Sequence, residues 1–128
     1  MSTTPTTKKI TGEQLIETVR AVAHEHPNFV YNSHEVPGKA CFYRNEITGE
    51  PDCIIGRALD ALGVLPEEMG LNNTVSVLIL LGTLSDSGLV EEISQSQMNW
   101  LCRVQSYQDS GDTWGDAVRK ADKWVVFQ

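Results

Sequence analysis

The 128-residue sequence lacks the features that mark secreted, membrane and disulfide-bonded proteins. Its longest apolar run, residues 77–81, is far too short to cross a bilayer. Its three cysteines form no close pair, and its first residues are polar, without the apolar core of a signal peptide. These absences predict a cytoplasmic protein with free thiols that does not bind a membrane.

The sequence also lacks the motifs of common enzyme active sites. It contains no glycine-rich phosphate loop, no H-E-x-x-H and no G-x-S-x-G. There is no C-x-x-C pair of the kind that holds two corners of a zinc site. The sequence therefore predicts no cofactor and no convergent catalytic set, and it favours a binding protein over an enzyme.

Positive charge is scarce in the middle of the chain. Residues 45–116 hold 12 acidic and 2 basic side chains, within a chain of net charge −7. An acidic surface repels phosphate backbones, so nucleic acid is not expected as a partner. Two interpretations remain: the acidic surface only keeps the protein soluble, or it matches a basic protein or peptide.

Apolar residues at helical spacing predict about five helices. Thr11 and Gln14 form a capping box before the first helix, Asp52 is the expected N-cap of the second, and Gly63 ends it. Residues 74–81 fit a helix or a strand; Asn72-Asn73 before them and Gly82 after them favour a helix, with residues 83–92 as a polar connector. Later helices are predicted after a second capping box at Ser94 and Gln97 and from Trp114.

Two short β-prone runs suggest a small antiparallel hairpin in the N-terminal third. They are Phe29-Val30-Tyr31 and Ala40-Cys41-Phe42-Tyr43, and Trp124-Val125-Val126-Phe127 is a candidate third strand. The expected fold class is therefore α+β, mostly helical. A flexible tail over residues 1–10 and one globular domain over residues 11–128 complete this prediction.

Cys53 is the first candidate for chemistry. A thiol at a helix start is favoured as a thiolate by the helix dipole, Arg57 lies one turn later, and Gly56 carries no side chain to shield the sulfur. A nucleophilic Cys53 would need a base, and His34 is the candidate. The alternative is that Cys53 is a small apolar residue in a tight helix contact, where Gly56 permits close approach.

Two further sites are less specific. His34, Cys41 and Cys53 are a possible metal set, with Cys102 or His26 as the fourth ligand, but their spacing matches no known zinc module. Met98 and Cys102 lie one turn apart on the outer side of the fourth predicted helix. They form either a second packing contact within the domain or an interface, which includes the possibility of a homodimer.

Two sequence blocks resemble a family of small proteins encoded by actinobacteria and their bacteriophages. The first block is Cys41-x-Tyr43 followed by Pro51-Asp52-Cys53-Ile54-Ile55-Gly56-Arg57-Ala58-Leu59-x-x-Leu62-Gly63-Val64. The second is Trp100-Leu101-x-x-Val104-Gln105-x-x-Gln108-Asp109-x-Gly111-x-x-Trp114-Gly115-x-Ala117-Val118. The resemblance implies a bacterial cytoplasm, during phage infection, as the setting, and it implies no particular chemistry.

Together these observations predict a non-enzymatic protein-binding module that acts on a host protein. The alternative is a cysteine-dependent enzyme or redox-sensitive protein that uses Cys53, with His34 as base and Arg57 tuning the thiol.

Overall fold

The computed structural model describes residues 9–31 and 42–127 of the chain, which form five α-helices and one short 3-10 helix. The helices are α1 (Gly12–Glu25), α2 (Ile54–Ala61), α3 (Val77–Asp86), α4 (Gln95–Asp109) and α5 (Trp114–Trp124), with the 3-10 helix at Gly70–Thr74. These residues contain only isolated β-bridges and no strand. The predicted α+β class is therefore wrong, and the described part of the fold is helical.

The predicted hairpin is wrong because the backbone groups of its β-prone residues bond to loops and helix starts. A side-chain bond joins the two runs, with Phe42 N–H donating to the Tyr31 hydroxyl (3.1 Å). Phe29 C=O accepts from Trp114 N–H (2.9 Å), and Val30 bridges Thr113. Tyr43 N–H donates to Asn73 C=O (3.3 Å). A high β propensity means that a residue suits an extended, half-buried position. These extended segments provide such positions without forming a sheet. The proposed hairpin loop and Cys41 lie outside the described residues.

Helix ends follow the local chemistry of the sequence in most places. The capping boxes of α1 and α4, at Thr11 with Gln14 and at Ser94 with Gln97, are both confirmed. Gly63 follows α2 with a φ of 76°, as predicted.

The helical alternative for residues 74–81 is confirmed in type and wrong in its bounds. Ser76 caps α3, its Oγ accepting from Ile79 N–H (3.3 Å), and the helix continues through Gly82 to Asp86. Gly88, with a φ of 80°, is the glycine that turns the chain. The polar connector is correspondingly shorter than predicted.

Helix α4 is the centre of the core and packs against α1, α2, α3 and α5. Its Trp100, Leu101 and Val104 are fully buried. Ile10, the last residue of the predicted tail, is also buried, and its N–H donates to Leu89 C=O (3.1 Å); residues 1–8 lie outside the described part. Among the described residues, no helix is long and apolar enough to span a membrane.

Candidate functional site

Cys53 is fully buried and caps helix α2, a role that the sequence assigned to Asp52. Its Sγ accepts from Gly56 N–H at 3.4 Å and from Gln105 Nε2 at 3.6 Å. The sulfur therefore replaces the oxygen of a usual N-cap residue and satisfies an amide at the helix start. This environment suits a structural thiol, because a nucleophile must be reached by its substrate.

Arg57 is engaged with groups other than the thiol. Its Nε donates to Asp52 C=O (3.1 Å), and its guanidinium carbon lies 5.0 Å from the Trp114 ring centroid and 5.6 Å from that of Phe29. This is a cation–π arrangement that joins α2 to the start of α5. His34, the proposed base, lies outside the described residues.

Gln108 is the residue beneath Cys53 that sequence reasoning missed. It is fully buried, and its Oε1 accepts from Ile54 N–H (2.8 Å) and from Trp114 Nε1–H (3.0 Å). One amide oxygen therefore joins the start of α2, the end of α4 and the start of α5. A signal was present: Gln108 lies one turn after Val104, on the apolar side of α4.

The residues of the metal hypothesis are not brought together in the described part of the chain. His34 and Cys41 lie outside it, Cys53 is the helix cap, and His26 packs edge-on against Trp114 with ring centroids 6.3 Å apart. Within residues 9–31 and 42–127, no three His, Cys, Asp or Glu side chains are grouped to hold an ion.

Met98 and Cys102 are half-buried and pack against the core, where α4 meets α3. Burial raises the pKa of the Cys102 thiol, although the nearby backbone of Leu78 lowers it. The predicted face of α4 is thus partly covered by the chain's own α3, and its use as an interface stays a prediction.

The first half of α3 is apolar on both of its sides, but only one side is covered. Val77, Leu80, Leu81 and Leu84 are buried against the core. On the opposite side, which we call the outer face of α3, Leu78 is 58% exposed and Ile79 is 55% exposed. Gly82, Thr83 and Asp86 complete this face and are also exposed.

The chain segment that contains α3 carries charge of one sign only. Between Arg57 and Arg103 the sequence has no lysine, arginine or histidine. It has six acidic residues there: Asp60, Glu67, Glu68, Asp86, Glu91 and Glu92. Asp60 pairs with Arg44 at 3.4 Å, and the other five make no ion pair with any described residue. The outer face of α3 is therefore an apolar surface in an acidic segment.

A groove of about 540 Å³ lies between the start of α3 and the second half of α4. It is lined by residues 74–77 on one side and by Cys102, Gln105, Ser106, Asp109 and Ser110 on the other, with Tyr43. Burial raises the pKa of the Asp109 carboxyl to about 6, although Gln108 Nε2 donates to its Oδ1 at 3.0 Å. A half-buried carboxyl in a groove is a candidate binding group.

A second exposed apolar surface is formed by Trp124 and Val126, with Trp124 64% exposed. Arg103 stacks on Trp124, its guanidinium carbon 5.9 Å from the ring centroid, and a groove of about 480 Å³ runs beside them. The charged residue that lines this groove is the cation Arg103, whereas the α3 segment carries acidic residues. No protein-family model, curated protein or solved structure matches the chain.

Proposed function

We propose that this chain is a non-enzymatic protein-binding module that holds a basic, apolar segment of a partner protein on the outer face of α3. The observation that carries the proposal is the exposure of Leu78 and Ile79 on a helix whose other side already fills the core. A helical segment that is apolar all round, like the first five residues of α3, is normally buried all round. A partner would complete that burial.

The free energy available at this face is modest but useful. Covering the exposed halves of Leu78 and Ile79 stabilises a complex by roughly 1 kcal/mol for each side chain. Gly82 lies beside them with no side chain, which lets a partner's backbone approach the helix closely.

The charge of the partner follows from the segment around α3. Five acidic side chains without ion pairs to described residues favour a partner rich in lysine or arginine, and they disfavour a second copy of the same face. Association with a basic segment is expected to be accelerated by this charge and weakened by added salt.

The resemblance to actinobacterial and phage proteins supports a host protein as the partner and the host cytoplasm as the compartment. Cys53 supports no second function, because its sulfur is buried and already accepts two hydrogen bonds.

The proposal is tested by affinity capture from an actinobacterial lysate with three immobilised forms of the chain. These are the wild type, the double variant Leu78→Gln/Ile79→Gln, and the control Ile47→Gln. Glutamine is a good helix former, so the double variant keeps α3 folded. Ile47 is 85% exposed on a turn outside α3, so its replacement removes an exposed apolar side chain elsewhere.

We expect the wild type and the Ile47 variant to retain the same protein and the double variant to lose it by tenfold or more. The retained protein is expected to contact α3 through a lysine- or arginine-rich segment in cross-linking, and to elute as salt is raised. Equal retention by the double variant would rule out the outer face of α3 as the binding surface.

A further inference from the structure

The Asp109 carboxyl is held in the groove between α3 and α4 by a single hydrogen bond. Its Oδ1 accepts from Gln108 Nε2 at 3.0 Å, while Oδ2 bonds to no described residue. The side chain is at the last position of α4 and is half-buried. Among the described residues, the fold uses only one oxygen of this group, and the residue lines the groove.

A half-buried carboxylate without a cation is costly, because burial disfavours the charged form. Other aspartates in the chain avoid this cost: Asp122 pairs with Arg20 at 2.6 Å, and Asp112 pairs with Lys120 at 2.9 Å. Asp109 has no such partner among the described residues. Burial therefore raises the pKa of Asp109, and no described cation offsets it.

No other charged group faces the groove from the described elements that form it. The 3-10 helix and the start of α3 contribute Thr74, Val75, Ser76 and Val77, which do not titrate. The extended segment before α2 contributes the Tyr43 phenol, whose O–H donates to Val75 C=O at 2.7 Å. Helix α4 contributes the Cys102 thiol, and the residue after α4 is Ser110. Asp109 is thus the one carboxyl among the described lining residues.

We infer that this groove receives a lysine or arginine side chain of the basic partner, with the Asp109 carboxylate as its counter-ion. The inference rests on the proposed function for the identity of the partner. Val75 and Cys102 provide apolar contact for the aliphatic stem, and Asp109 Oδ2 accepts from the cationic head. Ser110 lines the same end of the groove and adds a hydroxyl oxygen as a further acceptor.

The position of the groove supports a side chain from the same partner that covers α3. Residues 74–77 line the groove, and Leu78 and Ile79 follow directly in the chain. Cys102 lines the groove, and its thiol also lies near the backbone of Leu78. An ion pair in the groove and an apolar contact on α3 are therefore adjacent, which suits one amphipathic segment.

Binding of a cation should follow the ionisation of Asp109. With a pKa of about 6, roughly a tenth of Asp109 is ionised at pH 5 and about nine-tenths at pH 7. Affinity for the cation is thus expected to rise several-fold over this range. By linkage, a bound cation lowers the pKa of Asp109.

The test uses n-butylammonium as a lysine side-chain probe and ethylguanidinium as an arginine probe, with butan-1-ol as the neutral control. The ¹³C resonance of the Asp109 carboxyl is followed through a pH titration in each additive. We expect the cations to lower the titration midpoint by about half a pH unit and to shift the amides of residues 75, 106 and 110. Butan-1-ol should leave the midpoint unchanged.

Two variants complete the test. Asp109→Asn should abolish the amide shifts caused by the cations, whereas Asp86→Asn, an exposed carboxyl on α3, should retain them. Equal shifts with butan-1-ol, or unchanged shifts in Asp109→Asn, would overturn the inference. Because the small probes do not need Leu78 or Ile79, this outcome is distinct from failure of the protein capture. A partner captured equally by wild type and Asp109→Asn would keep the proposed function and exclude the ion pair.

Discussion

Helices α2 and α3 both pack against α4 and are rich in apolar residues, but only α2 has all its large apolar side chains covered. Ile54, Ile55, Ala58 and Leu59 of α2 are completely buried. Leu78 and Ile79 of α3 are more than half exposed. The difference teaches that the apolar content of a helix does not by itself report how much of it the domain uses.

Each helix contains a glycine, and the two glycines differ in whether the structure has room for a side chain. A Cβ on Gly56 would clash with the carbonyl of Tyr43, so α2 needs a residue without a side chain. A Cβ on Gly82 would meet nothing within 4 Å. Since a glycine inside a helix destabilises it by roughly 1 kcal/mol relative to alanine, Gly82 has a cost that no described contact inside the chain explains.

The largest effect on stability is expected from Gly56→Ala, in the covered helix α2. The added methyl meets backbone, which cannot rotate away as a side chain can, so α2 must move from the segment that carries Tyr43. We expect the free energy of unfolding to fall by about 3 kcal/mol or more, measured by urea denaturation. A loss below about 1 kcal/mol would mean that the α2 contact is looser than the geometry indicates.

The parts of the fold that follow from local chemistry could be predicted. The α1 and α4 starts are encoded within four residues by Thr11 with Gln14 and by Ser94 with Gln97, so no tertiary knowledge is needed. The hairpin prediction was wrong because residues 29–31 owe their extended backbone to α5, through bonds to Thr113 and Trp114. Those partners lie far away in the sequence, where propensity gives no information.

The candidate site shows the same division. The acidic middle of the chain and the apolar run at residues 77–81 are visible in the sequence. The packing of α3 on α4 determines that Leu78 and Ile79 face outward and that Asp109 lies in a groove, and the sequence does not show this packing. For Cys53, the position near a helix start was predicted, but the hydrogen bond from Gln105, which comes from another helix, could not be.

The polar groups beside α2 and beside α3 are expected to differ in how they make stability depend on pH. At the start of α2, Gln108 Oε1 accepts from Ile54 N–H and from Trp114 Nε1–H. Asp109, in the groove beside α3, lacks a cation among the described residues. Because the folded pKa of Asp109, about 6, exceeds its ordinary 3.8, the folded state binds the proton more tightly. The contribution of this group to stability is therefore highest below pH 4, falls as pH rises to about 6, and is constant above it.

The change is measured by urea denaturation at pH 4.5 and 7.5 in the wild type and Asp109→Asn. Allowing for the partial exposure of the carboxyl, we expect the Asp109→Asn substitution to stabilise the chain by about 1 kcal/mol at pH 7.5 and by less at pH 4.5. Asp86→Asn is the control and should change stability little at either pH, since Asp86 is exposed. A destabilised Asp109→Asn at pH 7.5 would mean that the carboxylate is stabilised by its surroundings.

The smallest effect on stability is expected from Gly82→Ala, on the outer face of α3. This substitution is also the sharpest test of the difference between α2 and α3. Alanine suits the helix and its Cβ enters open space, so the free energy of unfolding should rise by up to about 1 kcal/mol. The same methyl lies one turn after Leu78 and Ile79 on the outer face of α3, where it would hold a partner's backbone away. Capture of the partner should therefore weaken several-fold while the isolated chain becomes more stable. A variant that is more stable and binds as well as the wild type would place the partner elsewhere, whereas opposite signs in the two measurements would show that Gly82 serves an interface.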